Sequence, residues 1–186
     1  MDTKEQIIAI ANNLIIANGY NAFSYHDIAK TLGIKTSSIH YHFPTKSNLG
    51  IAVIQNHQYI FHQTIMKTKE ESALKKLNKL FAYYKQLITT QKVCIVGALT
   101  SDINTLDTTL KEEVLVFSKQ IIKWTTEILK EGQTQKIFKP IQHTTLKAKQ
   151  IVISLMALVQ VARIENSQND FNQMTKMILN ELLIKK

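Results

Sequence analysis

Breakers of regular structure are scarce in this sequence, with two prolines and five glycines in 186 residues. That scarcity excludes a loop-rich or collagen-like chain and favours long helices joined by short turns. Cysteine is nearly absent. Cys94, alone, cannot close an internal disulfide, so a stapled mini-scaffold is excluded and nothing implies an oxidising compartment. The opening Met1-Asp2-Thr3-Lys4-Glu5 lacks a basic region followed by an apolar core, so no secretory leader is expected. The most apolar run, residues 151–162, contains Ser154 and Gln160 and falls short of the roughly 20 residues a bilayer span needs. The expectation is a soluble, cytoplasmic protein with no membrane partner.

Catalytic sets are missing as well. There is no nucleophile–base–acid combination, no Gly-rich phosphate loop and no paired carboxylate, so an enzyme is not expected and no cofactor is called for. Five of the six histidines (His26, His40, His42, His57 and His62) fall between residues 26 and 62, which raises the question of a metal. On one helix His40 and His42 point about 160° apart, and His57 and His62 are five residues apart rather than four, so neither pair chelates. No metal site is expected.

What is abundant is lysine. The net charge is +9 and the pI near 9.5, which suits a polyanionic partner. Its distribution is uneven. Residues 1–66 hold Lys4, Lys30, Lys35 and Lys46 against Asp2, Glu5 and Asp27, a balance of +1, so +8 lies in residues 67–186. Charge therefore does not locate a nucleic-acid site; the residue pattern must.

Ile7, Ile8, Ala11, Leu14 and Ile15 recur at helical spacing, with Thr3 and Gln6 as a capping box and Gly19 as the stop. Ser24 and Asp27 signal a second start before a short helix that Gly33 interrupts. A third opens near Thr36 and ends by Phe43, because Pro44 disfavours helical geometry before it. Thr45 caps a fourth that reaches about Met66. Further helices are expected over 69–90, 95–104, 109–132, 144–164 and 171–184, with 133–141 as a connection. The helix over 144–164 is apolar on most faces, and with 171–184 it suggests a core face plus a subunit interface. The fold class is all-α.

Ala29 is the small residue that lets two short helices pack closely, and Gly33 four positions on takes the left-handed backbone of the turn. Ile28, Leu32, Ile34 and Ile39 pin both helices to the first. The second of the pair exposes Thr36, Ser37, Ser38, His40, Tyr41 and His42, none acidic. Short hydroxyls approach base edges or phosphates, and aromatic rings meet phosphate oxygens and thymine methyls. Lys46 can reach a phosphate, as can Ser24, Tyr25 and His26 at the preceding helix start. The pattern is a helix-turn-helix over about 24–46.

The run Ile39-His40-Tyr41-His42-Phe43-Pro44-Thr45-Lys46-Ser47-Asn48-Leu49 resembles the end of helix 3 and the start of helix 4 in the TetR family of transcriptional regulators. Gly19-Tyr20, Ala22-Phe23-Ser24, Ile28-Ala29 and Leu32-Gly33 extend the likeness toward the N-terminus. The resemblance implies a three-helix DNA-binding domain over 1–48, joined by a long helix to a larger effector-binding and dimerisation domain over 49–186. It places Thr36 at the groove-facing helix start, His40 at a base-contacting position, and Tyr41, His42 and Lys46 on the phosphate backbone. It implies a homodimer, formed through about 144–164 and 171–184, that binds a palindromic double-stranded operator as a repressor and is released by a small molecule. Tyr84, Cys94, Phe117, Trp124 and Met156 are candidate walls of the effector site. The segment Cys94-Ile95-Val96-Gly97 resembles a subgroup with a Cys-x-x-Gly stretch, some members of which sense electrophiles through the cysteine. The alternatives are thus a thiol-based electrophile or redox sensor, or a DNA-binding regulator with no small-molecule effector.

Overall fold

The computed structural model describes residues 2–184, and among them nine α-helices and one short 3-10 turn account for the regular structure. The helices are α1 (Thr3–Asn18), α2 (Tyr25–Leu32), α3 (Thr36–His42), α4 (Lys46–Lys67), α5 (Ala73–Thr89), α6 (Ile95–Ser101), α7 (Thr108–Thr134), α8 (Thr144–Glu165) and α9 (Asn169–Leu182). The 3-10 turn, Ile103–Thr105, follows α6. The chain divides into two compact units. One comprises the chain up to Thr64 with Cys94–Phe117; the other comprises Ile65–Val93 and the chain from Ser118 onward.

In the first unit α1 is the spine. Ile7, Ala11 and Ile15, spaced by four, are completely buried, and Ile28 of α2 and Ile39 of α3 are equally inaccessible. Ile8, Leu14, Leu32 and Ile34 are only half-buried. The start of α1 differs from expectation. Asp2, not Thr3, is the N-cap: its carboxylate accepts from the Glu5 amide at 2.7 Å while Glu5 accepts from the Asp2 amide at 3.1 Å. A carboxylate at that place also meets the positive end of the helix dipole, which a hydroxyl does less well. The α4 helix begins as expected, with Thr45 Oγ1 accepting from the Asn48 amide at 3.1 Å.

His57 of α4 lies largely out of water, its Nε2 2.6 Å from Asn12 Oδ1 and its ring beside Phe117. Burial pushes its pKa down to about 4, so it is a neutral imidazole at neutral pH.

In the second unit α5, α8 and α9 pack in sequence, with Leu77, Tyr84, Ile151, Leu155 and Phe171 in the interior. α5 starts later than its apolar periodicity suggested, because Ser72 caps it and the preceding residues form a turn. Lys76 is buried, and its ammonium donates to both Glu131 oxygens at 2.9 and 2.7 Å and to the Lys69 carbonyl at 2.9 Å. A buried cation is tolerable only with its donors satisfied in this way. Gly132 does not end α7, which continues to Thr134. It is there for proximity: a Cβ at Gly132 would fall 2.0 Å from Cδ2 of the buried Phe138. Phe138 and Leu183 form an isolated antiparallel bridge that closes the 133–141 connection against the end of α9.

α8 is longer than the apolar run inside it. At 22 residues it is long and apolar enough by composition to cross a bilayer, with a third of its apolar window buried in the chain. Core helices pass the same test.

Two outcomes follow from this packing. Gly132→Ala should destabilise the protein by about 1–3 kcal/mol in denaturant melts, because the Phe138 ring must move; an unchanged midpoint would contradict the packing described. The His57 imidazole, held near pKa 4 against an ordinary 6.5, contributes stability that is present above pH 6.5 and lost as pH falls toward 4. Its full size is on the order of 3 kcal/mol. The stability difference between wild type and His57→Gln should therefore shrink across that window, and a pH-independent difference would refute it.

Candidate nucleic-acid interface

The turn between α2 and α3 is built as the sequence suggests. Gly33 is left-handed at φ 68° and ψ 29°, and its amide donates back to the Ala29 carbonyl. A Cβ on Gly33 would meet nothing within 4 Å, so the backbone conformation, not space, selects glycine there. Ala29 is buried beneath. At the start of α2 the Asp27 carboxylate accepts from the Ser24 amide at 2.7 Å and the Ser24 hydroxyl at 2.8 Å. Those two bonds, backbone first, hold Asp27 below the usual carboxylate range, so this acid stays ionised with its charge turned onto the donors that cap α2.

α3 stands as a ridge between two shallow surface depressions that share Ile34 and Ser37. One is lined by Thr3, Ser38, Tyr41 and His42 as well, the other by His26, Ala29, Lys30, Lys35 and Thr36. Thr36, Ser37 and His40 are exposed, Ser38 and His42 half-buried, and Tyr41 is 85% exposed with its ring edge-on to His42. A short helix raised between two furrows, with no acidic side chain on its crest, is the shape and polarity that enters a major groove. Sequence reasoning missed Thr3, Lys30 and Lys35, which share these walls. Lys35 sits at the N-cap of α3 and was legible as a cation one residue before Thr36.

Two of the expected contacts have internal duties. Tyr25 donates its hydroxyl to the Phe43 carbonyl at 2.8 Å and packs its ring 4.7 Å from His40, which closes α2 onto the end of α3. Burial pushes its phenol up to about 12, so it remains a donor. The Lys46 ammonium donates to the Phe23 carbonyl and lies over the rings of Phe23 and Tyr20, at 4.2 and 4.8 Å from their centroids. Desolvation lowers its pKa, partly offset by the carboxylates of Asp102 and Asp27. Tyr20, Phe23 and Lys46 thus form one cluster under the interface.

The candidate effector residues are not gathered in one unit. Tyr84, Trp124 and Met156 belong to the second, Cys94 and Phe117 to the first. Phe117 packs edge-on to Phe61 at 5.7 Å. Cys94 is buried, and its Sγ caps α6 by accepting from the Gly97 amide at 3.3 Å. Burial pushes that thiol up, away from the reactive thiolate. Among the described residues, no group of three or more His, Cys, Asp or Glu side chains is placed to hold a metal ion.

The demand on Gly33 is directly testable. Gly33→Ala should cost about 1–2 kcal/mol of stability through the left-handed penalty, and Gly33→Asn clearly less. Equal costs for the two would mean that the backbone angle is not what selects glycine.

A family model described as bacterial regulatory proteins, tetR family, matches residues 7–53, the segment that builds this ridge. A TetR transcriptional regulator from Legionella pneumophila is 31% identical, with 97% of each chain covered and a TM-score of 0.88. A TetR-family regulator from Agrobacterium tumefaciens is 27% identical over 97% of each chain, with a TM-score of 0.90. The HTH-type transcriptional repressor NemR of Escherichia coli strain K12 is 20% identical over 138 residues, 71% of this chain and 69% of that protein. With ridge, turn and full-length likeness in agreement, the chain belongs to the TetR family and is a DNA-binding transcriptional regulator.

Proposed function

We propose that this regulator is a homodimeric repressor that binds a palindromic operator and releases it when a small molecule occupies residues 49–186. The observation that carries the reading is the acid-free crest of α3, where Thr36, Ser37, Ser38, His40, Tyr41 and His42 face outward between two furrows. Base discrimination falls to these hydroxyls and rings, because the single arginine of the sequence is Arg163, in α8. Lys30, Lys35 and His26 join Ser24 and Tyr25 at the rim as backbone contacts.

Dimerisation through α8 and α9 is supported by what those helices leave in water. Leu146, Ile153, Val161 and Ile164 of α8 and Met177 of α9 are exposed large hydrophobics, and so is Ile184, just past the end of α9. A set of that kind is an interaction surface, and a two-fold pairing buries it against itself. Two copies then present their α3 helices about 34–36 Å apart, or somewhat more. A ligand favouring a different separation by about 3 kcal/mol would relieve repression roughly a hundredfold. We assign the reading domain to 1–48 and effector binding to 49–186, with Tyr84, Trp124 and Met156 of the second unit as its candidate contacts. A DNA partner supports a cytoplasmic location. Cys94 is read as a packing residue and helix cap rather than a sensor, given its burial.

Fluorescence anisotropy with duplexes from the region upstream of its own gene tests the reading. Lys35→Ala should lower affinity for all sequences alike and flatten the salt slope by about 0.9 per lost phosphate contact, so about two for a dimer. Thr36→Ala should instead alter which sequences are preferred. Lys46→Ala should reduce both the slope and the folding stability. A stability loss with an unchanged slope would remove Lys46 from the interface, and no preference for any upstream duplex over random DNA would sink the proposal.

A further inference from the structure

α6 ends at Asp102, whose side chain does not turn to solvent. Its Oδ2 accepts from the backbone amides of Tyr20 at 2.8 Å and Asn21 at 3.2 Å, and its Oδ1 accepts from Asn21 Nδ2 at 3.0 Å. Asn21 Nδ2 also donates to Thr105 Oγ1 at 2.9 Å, and Thr105 donates from the same hydroxyl to the Asp102 carbonyl at 2.8 Å. Gly19 turns the chain there at φ 98°, a backbone angle that favours glycine, while a Cβ at that position would make only ordinary contact, 3.5 Å, with Oδ2. A turn between α1 and α2 is thereby held by a residue 82 positions away in sequence.

The grip extends through Tyr20 to the far side of α3. The Tyr20 ring is buried, covers the Lys46 ammonium and lies 3.2 Å from where a Cβ on Gly50 would be. Lys46 in turn holds the Phe23 carbonyl. Both connections that flank the α2–α3 pair, the turn before it and the turn after it, therefore end on one residue whose backbone Asp102 clamps. All the groups that face Asp102 here are donors. A carboxylate, with acceptor sites only, satisfies three N–H groups at once, whereas an amide at 102 would set an N–H group against one of them.

We propose that Asp102 is a positioning residue for operator recognition: by clamping Tyr20 and Asn21 to the end of α6 it sets the angle at which α3 is presented to DNA. This rests on the dimeric-regulator reading. In a dimer the angle of each α3 is read as half-site spacing, so loosening the clamp costs discrimination rather than non-specific attraction, which the lysines supply.

The test uses the full-length chain and a palindromic duplex that wild-type protein recovers from a randomised pool, together with versions one base pair longer and shorter between half-sites. Asp102→Asn should lose tenfold or more in operator affinity, keep its affinity for random duplex, and discriminate poorly among the three spacings. The exchange Asp102→Asn with Asn21→Asp should recover most of the loss, because the amide at 102 then donates to the carboxylate at 21 while its oxygen still accepts from Tyr20. Thr105→Val, a milder cut in the same network, should move spacing preference in the same direction by a few-fold. If Asp102→Asn and Thr105→Val, measured folded at low temperature, keep the wild-type ratio of operator to random DNA and the same spacing preference, the clamp is only structural and the inference is overturned. If wild-type protein recovers no duplex at all, the regulator reading itself fails, and this inference with it.

Discussion

Tyr20 is the point on which the small reading head depends. Its amide is fixed by Asp102, its ring shields the Lys46 ammonium and meets Phe23 edge to face, and its Cε2 lies against Gly50. The two short helices against α1 bury only Ile28, Ala29 and Ile39, and α3 has only seven residues, too few to persist on propensity alone. Tertiary ties must supply the rigidity that a sequence reader needs. Burial pushes the Tyr20 phenol up to about 12, with smaller pushes from Asp107 and Tyr25, so the ring stays neutral wherever DNA is bound.

The same cluster explains why charge is a poor guide to this interface. Lys46, one of four lysines in residues 1–66, spends a donor and much of its hydration on internal partners. Lys4 lies 5.9 Å from the Phe43 ring, another cation over an aromatic face. Lys30 and Lys35 are exposed at the α2–α3 turn, beside the start of α3. With the non-specific attraction left to these few lysines, discrimination depends on the geometry with which α3 is presented.

What could be read from the sequence was local. Ala29, Gly33 and Ile39 report a turn and two helix faces within eleven positions, and each does what its spacing implies. Local signals also misled where a second residue type served the same purpose. Asp2 takes the cap that Thr3 was expected to provide, and Gly132, where the expected helix ended, lies inside α7 and leaves room for Phe138. The Asp102 clamp carried no sequence signal at all. An aspartate after a short helix looks like any solvated turn residue, and its partners are backbone amides, which every residue has. The duty of Lys46 was hidden for the same reason, since a carbonyl acceptor leaves no trace in side-chain pattern.

The second unit shows the converse, a composition that overstates one environment and a geometry that selects another. α8 is apolar enough to be read as a membrane span, yet its exposed hydrophobics are not spread around it. Leu146, Ile153, Val161 and Ile164 fall within about 80° of one another at 100° per residue, while Ile151, Val152, Leu155 and Val159 face inward. Met177 and Ile184, seven apart, repeat that one-sided placement along α9 and its end. The ion pair of Lys147 with Glu181, at 2.7 Å, joins the two helices. Lipid would surround a lone span on all sides and would leave that pair without water. Exposed apolar residues confined to one side of α8, with a charged pair beside them, suit a protein partner better than lipid, which is the support for the two-fold pairing proposed above.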